Sequence, residues 1–348
     1  MIQPRAIFQV LVNGVDYTAR FDPVLKTIEV TDGDGKKSDS ASITVADPDG
    51  STYMPEPDAK VQIFLGHEGE GVGLCFRGKV DTVRSSGSKG GGRELKITAR
   101  GLDTKSKAKE PAERSASDKT FGEVAEQWGR AAGMQGIRIA PALRNIRREW
   151  WGMQNESYLH WMERMADELG GTFRVSDNEA IMVETGAGQS ASGKTLPTVT
   201  AEFGRNLINW DIDPFTGRAQ HTQARVRFYD RTSASFREEQ VQVEDTTAPA
   251  RSRRAHASAN QATARQAAGS DRKKSKRKKG GGTVTILGNS HARPEGMLVV
   301  LGAREGVDGE YKITSINHSF SKSGGFTTKV SFGDSKAGKD KRRKRSRR

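Results

Sequence analysis

The sequence predicts a mainly β protein with an inserted α/β unit. Three observations predict it: period-two apolar alternation punctuated by Gly, Asn and Asp turns, a change to helical spacing after Pro111, and a return to β patterning after the Gly/Ser-rich stretch 186–194. The first strand candidate, 6–12, sets Phe8, Val10 and Val12 on one face, and Asn13-Gly14 supplies the positive-φ pair of a two-residue hairpin turn. Ile28 and Val30 begin a second strand, closed by the loop 32–35, and Ile43 and Val45 follow it. Residues 47–50 (Asp-Pro-Asp-Gly) form a further turn. Val61, Ile63 and Leu65 alternate, as do Leu95, Ile97 and Ala99, with 74–83 between them. Short strands with frequent turns imply a small barrel or sandwich over roughly 1–110.

Thr120 and Glu123 then form a capping box, in which hydroxyl and carboxylate satisfy the free amides of a helix start. Phe121, Val124, Ala125, Trp128, Ala131 and Ala132 follow at helical spacing, and Gly133 ends the helix. A second helix is expected from about Asn155, with Tyr158, Met162, Met165 and Leu169 on one stripe and Gly170-Gly171 as the stop. Segments 172–175 and 180–183 read as a hairpin about Asp177-Asn178. The second β part has strand candidates at 199–203, 207–212, 224–229 and 239–243, and again at 284–287, 297–301, 311–316 and 326–332. Between the two groups lies a basic segment, 251–279, with helical character over 257–268.

Composition narrows the function classes. Hydrophobic residues are 34% and charged residues 29% of 348, which implies a lean core under a wet surface. No apolar run approaches the roughly 18 residues of a membrane span, and the N-terminus carries no signal-peptide h-region. One cysteine, Cys75, excludes an intrachain disulfide framework and a cysteine-rich metal site, as expected of a chain that folds in a reducing cytoplasm. The net charge of +14 is concentrated in two places. Residues 251–279 hold eleven Lys/Arg against Asp271, and residues 336–348 hold nine against Asp340, so the remainder is slightly acidic. Neither segment contains Phe, Tyr or Trp, which nucleic-acid binding through them would need for stacking.

The motifs with chemical content are weak in context. Residues 188–195 (GQSASGKT) fit G-x-x-x-x-G-K-[ST], in which Lys194 and Thr195 would serve phosphates and magnesium. Pro197 and β-branched residues stand where the helix of a P-loop should propagate, so the match reads as a linker. Asp32-x-Asp34 lacks the glycine and glutamate of a calcium loop. The six histidines (67, 160, 221, 256, 291, 318) are scattered, with no metal-ligand spacing. Glu163 and Asp167 read as a solvated helix face, the Tyr158/Met162/Met165 stripe as core, and Trp150-Trp151 as core cover in preference to an interface anchor. Catalytic, cofactor-binding and metal residues are all expected to be none.

Two stretches carry a resemblance. Residues 153–183 (MQNESYLHWMERMADELGGTFRVSDNEAIMV) resemble the Q-x-x-E-S-x-x-x-F-L-x-x-L-A-x-x-x-G segment of the phage late control D proteins, which are tail baseplate hubs related to the hub part of type VI secretion spike proteins. Residues 306–332 resemble that family's C-terminal block, in which a strand reaching a His precedes a Gly-Phe-Thr-Thr strand, and 289–303 resemble its strand entry. The resemblance implies two small β-barrels flanking a compact α/β unit: a first hub barrel at 1–112, the α/β domain at 113–190 and a second barrel at 191–335. The Lys-rich stretch 271–279 and the basic tail depart from it; their charge density and lack of large apolar residues read as a basic connector at 251–282 and a disordered tail at 336–348. The resemblance further implies a structural, non-enzymatic protein. Three copies would form a ring of six barrels that adapts a sixfold tail tube to a threefold spike. The implied partners are a homotrimer, the tail tube, the central spike and other baseplate or tape-measure proteins, without a cofactor or membrane insertion. The implied location is the virion tail baseplate, assembled in the host bacterial cytoplasm. Nucleic-acid binding through the two basic segments is the alternative. On the barrel reading, Val226 and Phe228 should share one β-structure with Val284 and Ile286.

Overall fold

In the computed structural model, which describes residues 4–33, 39–101, 106–214, 222–243, 251–277 and 280–333, local chemistry acts as the sequence implies. Strand Ala6–Val12 buries Phe8, Val10 and Val12. Asn13 and Gly14 take φ of 50° and 81° and turn the chain into Val15–Asp16. In the capping box, the Thr120 amide donates to Glu123 Oε2 at 2.7 Å and the Glu123 amide to Thr120 Oγ1 at 3.3 Å, which starts helix Phe121–Ala131. The second helix, Tyr158–Leu169, starts three residues later than expected: Ser157 is its N-cap, and Asn155, at φ 48°, lies at an irregularity in the preceding strand. Gly170 ends it in the left-handed region.

The mainly β expectation holds, and among the described residues the strands form no closed barrel. Thirteen of them share one sheet. Its path runs from Leu207–Asp213 through Gly281–Leu287, Gly325–Gly333 and Gly309–Ser321, then crosses to Leu25–Gly33, Ser40–Ala46, Gly92–Arg100, Gly71–Ser88, Lys60–His67, Ala6–Val12 and Val15–Asp16. Thr198–Glu202 joins through a parallel pairing with Met297–Leu301, itself antiparallel to Gly309–Ser321. The seam between the two β regions is the antiparallel register from Ser315↔Gly33 to Ser321↔Thr27. Gly309–Ser321 is thirteen residues long, enough to pair with the second region at one end and the first at the other. Phe320 and Phe326 accordingly pack into the first region's core beside Phe8, Ile28 and Leu65. The second half comes back on itself through an isolated bridge between Phe203 and Leu207, next to Thr198–Glu202.

The α/β unit has its own core of Phe121, Trp128, Trp151, Trp161, Met162 and Phe173, among others. Its helices cover a three-stranded sheet in which Gly171–Ser176 pairs with Glu179–Glu184, which in turn pairs in parallel with Gly136–Ile139. A ribbon of Pro111–Thr120 against Arg147–Ser157 flanks it, and its first strand runs across residue 112.

The basic segment is the larger correction. Val226 and Phe228 do not share a sheet with Val284 and Ile286. Gln223–Asp230, Ser235–Gln242 and Arg251–Arg253 form a separate three-stranded satellite sheet, and helix Gln261–Arg277 packs on it through Ala264, Ala267 and Ala268. Arg251–Arg253 is thus a strand and Gln261–Arg277 a helix, where the charge density implied a looping connector. The helical character expected over 257–268 is present from Gln261 onward, where an alanine face at helical spacing meets the satellite sheet. The second half of the loop 32–35 and the basic tail 336–348 lie outside the described residues.

Candidate functional site

Two kinds of site emerge: a buried polar junction where the units meet, and exposed aromatic surfaces at sheet ends. At the junction, Arg174 of Gly171–Ser176 donates Nη1 to both carboxylate oxygens of Asp32 at 2.9 and 3.1 Å. Burial opposes the Arg174 charge, but Asp32 and Asp39 beside it outweigh that and raise its pKa further. Burial and the neighbouring Asp32 charge push the Asp39 carboxyl well above the usual carboxylate range. Glu295, also buried, accepts from Thr172 Oγ1 at 2.9 Å and from the Gly186 amide at 2.8 Å, tying the second β region to the α/β unit. Arg293 donates to the carbonyls of Ser290 and Ala292, and to Leu74 of the first region at 2.8 Å.

A cavity of about 160 Å³ lies among these groups, lined also by Arg138, Ser190 and Ser192. Each of its three guanidiniums already has an acceptor: Asp32 for Arg174, Glu179 for Arg138 and main-chain carbonyls for Arg293. The arrangement is a clasp that fixes three units against one another. Desolvated charges held this way set geometry more than they add stability.

The remaining sequence candidates fall to structural roles. Residues 188–195 form a tight turn in which Ser190 N donates to Lys194 O and Gly193 N to Ser190 O, and strand Thr198–Glu202 follows where a P-loop has its helix. Asp32 is the clasp carboxylate, and Asp34 lies outside the described residues. His318 is buried with Nδ1 3.0 Å from Thr328 Oγ1; burial, with Arg293 acting in the same direction, pushes its pKa down to about 4. His67 is buried 3.9 Å from Glu70, and His221 lies outside the described residues. Among the described residues no three His, Cys, Asp or Glu side chains group for a metal. Burial raises the Cys75 thiol to about 11, a poor setting for a nucleophile. Asp167 pairs with Arg254 at 3.0 Å, and Tyr158, Met162 and Met165 are core. The adjacent tryptophans divide by strand alternation. Trp151 is 1% exposed and donates Nε1 to Lys119 O, whereas Trp150, 52% exposed, lies across Gly152, where a Cβ would meet its ring at 1.9 Å.

Sequence reasoning missed the exposed aromatics of the second half. Phe203 and Trp210 meet edge to face at 5.6 Å beside Ile208 at the edge of the large sheet, and Phe203 N donates to Leu301 O. Tyr229 and Phe236 pair at 5.4 Å at the end of the satellite hairpin, with the Arg227 guanidinium 6.0 Å over the Phe236 ring. The alternation that places Trp210 in a strand does not reveal that its strand is the last one in the sheet.

Against known proteins, the chain is 26% identical over 193 residues to a probable baseplate hub protein of Escherichia phage P2, and 28% identical over 193 residues to that of phage 186. The chain is similar to phage baseplate hub proteins. The alignments cover 56% of this chain and 49% of each relative, so the chain spans about half the length of the curated relatives it matches. In fold it is similar to a tail protein of Neisseria meningitidis MC58 over 94% of this chain and 96% of that one, with a TM-score of 0.72 at 14% identity. It is also similar to an E. coli type VI secretion component described as structurally similar to T4 bacteriophage tail proteins gp27 and gp5, with a TM-score of 0.54 at 11% identity, over 95% of this chain and 77% of that one. No family model matches the chain. The resemblance to tail hubs read from 153–183 and 306–332 thus stands, and the fold is that of phage tail and type VI secretion proteins.

Proposed function

We propose that this chain is a structural baseplate hub protein, three copies of which form a ring that adapts a sixfold tail tube to a threefold central spike. The observation that carries this reading is a nearly full-length fold match to a tail protein, in a chain whose sequence relatives are baseplate hubs. The architecture supports it physically. One rigid sheet carries two β regions of the same chain, so three copies present six β bodies, and symmetry matching needs two per chain. The clasp of Arg174, Asp32, Glu295 and Thr172 holds the α/β unit at a fixed angle to both, as an adaptor between rigid parts requires.

The part is not an enzyme on this reading, and its place is the virion tail, in contact with tube, spike and neighbouring baseplate proteins. The domain division is proposed with it: two hub regions around an α/β unit, plus the satellite sheet. The test is the oligomeric mass of the purified protein by sedimentation. A trimer is expected, and a monomer or dimer within assembled tails overturns the reading. Magnesium–ATP binding abolished by Lys194→Ala would overturn its non-enzymatic part.

A further inference from the structure

The satellite sheet and its helix Gln261–Arg277 are inserted between two neighbouring strands of the large sheet. Leu207–Asp213 precedes the insertion, Gly281–Leu287 follows it, and the two are paired with Asp213 opposite Gly281. Both ends of the insertion therefore leave the sheet at one point, and the satellite hangs from a two-stranded stem. It also has a core of its own. Ala224, Val226, Phe228, Val243 and the helix alanines form one buried cluster, the residues of the α/β unit form another, and no cluster spans the two among the described residues.

The contacts between satellite and α/β unit centre on the last turn of helix Tyr158–Leu169. That turn holds Asp167 and Glu168 and no base, which puts acids at the negative end of the helix dipole. The satellite supplies the opposite charge. Arg254 Nη1 meets the Asp167 carboxylate at 3.0 Å, and its Nη2 donates to the Asp167 main-chain carbonyl at 3.2 Å. Ser270 Oγ donates to the same carbonyl. Carbonyls in the last turn of a helix have no amide of that helix ahead of them, so the satellite serves as the cap. Alongside, Arg148 lies 4.7 Å over the Trp151 ring, donates to Glu168 at 2.9 Å and donates to Gln266 of the satellite helix at 3.2 Å. Its side chain is 11% exposed.

We infer that the satellite is a hinged body held down by an ionic latch. It docks when Arg254 and Ser270 cap helix Tyr158–Leu169 at Asp167, and it swings away on its stem, still folded, when that latch is screened or reversed. Partly exposed charge pairs lose strength as salt shortens the screening length, whereas apolar burial does not. Domains of one chain that meet through a small polar interface move against each other by default. A separate core lets the satellite leave intact. The latch lies within one copy of the chain and needs no ring.

Arginine-selective modification with phenylglyoxal, read by peptide mass spectrometry, tests it, because Arg148 faces the satellite helix through Gln266. Raising salt from about 0.1 M to about 1 M should speed the labelling of Arg148 about tenfold, while Arg130, 77% exposed and away from the latch, labels as before. In Asp167→Lys, Arg148 should label at the fast rate already in low salt and no longer respond to salt. A lysine suits a helix C-terminus, so this variant should fold. Asp167→Glu keeps the carboxylate and should behave as the wild-type chain does. Arg254 is left in place because it also pairs with Asp271 inside the satellite. In every case amide exchange over 223–230 should stay slow, the mark of a satellite that moves as a folded body. Labelling of Arg148 that ignores both salt and Asp167→Lys overturns the latch. Labelling that rises only in step with exchange over 223–230 overturns the hinge, because the satellite then unfolds instead of swinging. Should Asp167→Lys misfold, the salt series on the wild-type chain decides by the same two readouts.

Discussion

The large sheet and the satellite are both β, yet they are held by different forces. The first region's core is packed with Val10, Ile28, Val30, Ile63, Leu65 and Leu95, all fully buried. Among the described residues the satellite core is Ala224, Val226, Phe228, Val243 and three helix alanines, with Val241 packed against it. Ion pairs supplement that thin core: Arg254 bridges Asp271 and Asp167, Arg265 meets Glu239 at 2.9 Å, and Arg253 meets Glu238 at 2.7 Å. The two also treat charge differently. The sheet holds His318 neutral by burial, while the satellite pairs Arg253, Arg254 and Arg265 with acids. The large sheet rests on apolar burial, and the satellite has less of it to rest on.

The comparison can be broken from the top. Leu65→Ala empties a fully buried site in the large sheet and should cost ~2–5 kcal/mol in denaturant unfolding. A loss smaller than that of Arg254→Ala in the satellite would reverse the ranking. Second comes pH. His318 binds its proton only near pH 4 in the fold against 6.5 when free, so stability is complete above 6.5 and falls as pH drops toward 4, by up to roughly 3 kcal/mol. Asp39, whose pKa is raised, acts in the opposite sense: the folded chain holds a proton the unfolded chain releases, which favours folding as pH falls. His318→Gln should therefore flatten the acid-side decline in the urea midpoint and Asp39→Asn should steepen it; unchanged slopes would show that neither group is linked to folding.

Third, Arg254→Ala removes the guanidinium that bridges Asp271 of helix Gln261–Arg277 to Asp167 of helix Tyr158–Leu169, for about 2 kcal/mol. Hydrogen exchange should quicken over 223–242 and 261–277 and stay unchanged in 309–321. Equal quickening in both would mean that the satellite does not open on its own. The smallest effect belongs to neither region: Thr120→Ala removes a helix cap in the α/β unit and should cost ~1 kcal/mol, lowering the melting temperature by a few degrees without altering the satellite's exchange.

Much of this protein is local and therefore readable from its sequence. The positive-φ turns at Asn13-Gly14 and Asp177-Asn178, the Thr120/Glu123 cap, the stop at Gly170 and the inward faces of the strands depend on residues close together in the chain. The resemblance in 153–183 and 306–332 is also a property of the linear sequence. What only the tertiary structure decided is which strand lies beside which. Period-two alternation says which side of a strand faces inward, but not whether Leu25–Gly33 pairs within its own region or with Ser315–Ser321, nearly three hundred residues away. The cost of closing such a loop grows only with the logarithm of its length, so distant partners compete on nearly equal terms and side-chain fit chooses among them. The clasp of Arg174 on Asp32, 142 residues apart, and the edge position of Trp210 follow from that choice, as does the small sheet on which the basic helix rests, and no local signal contains them.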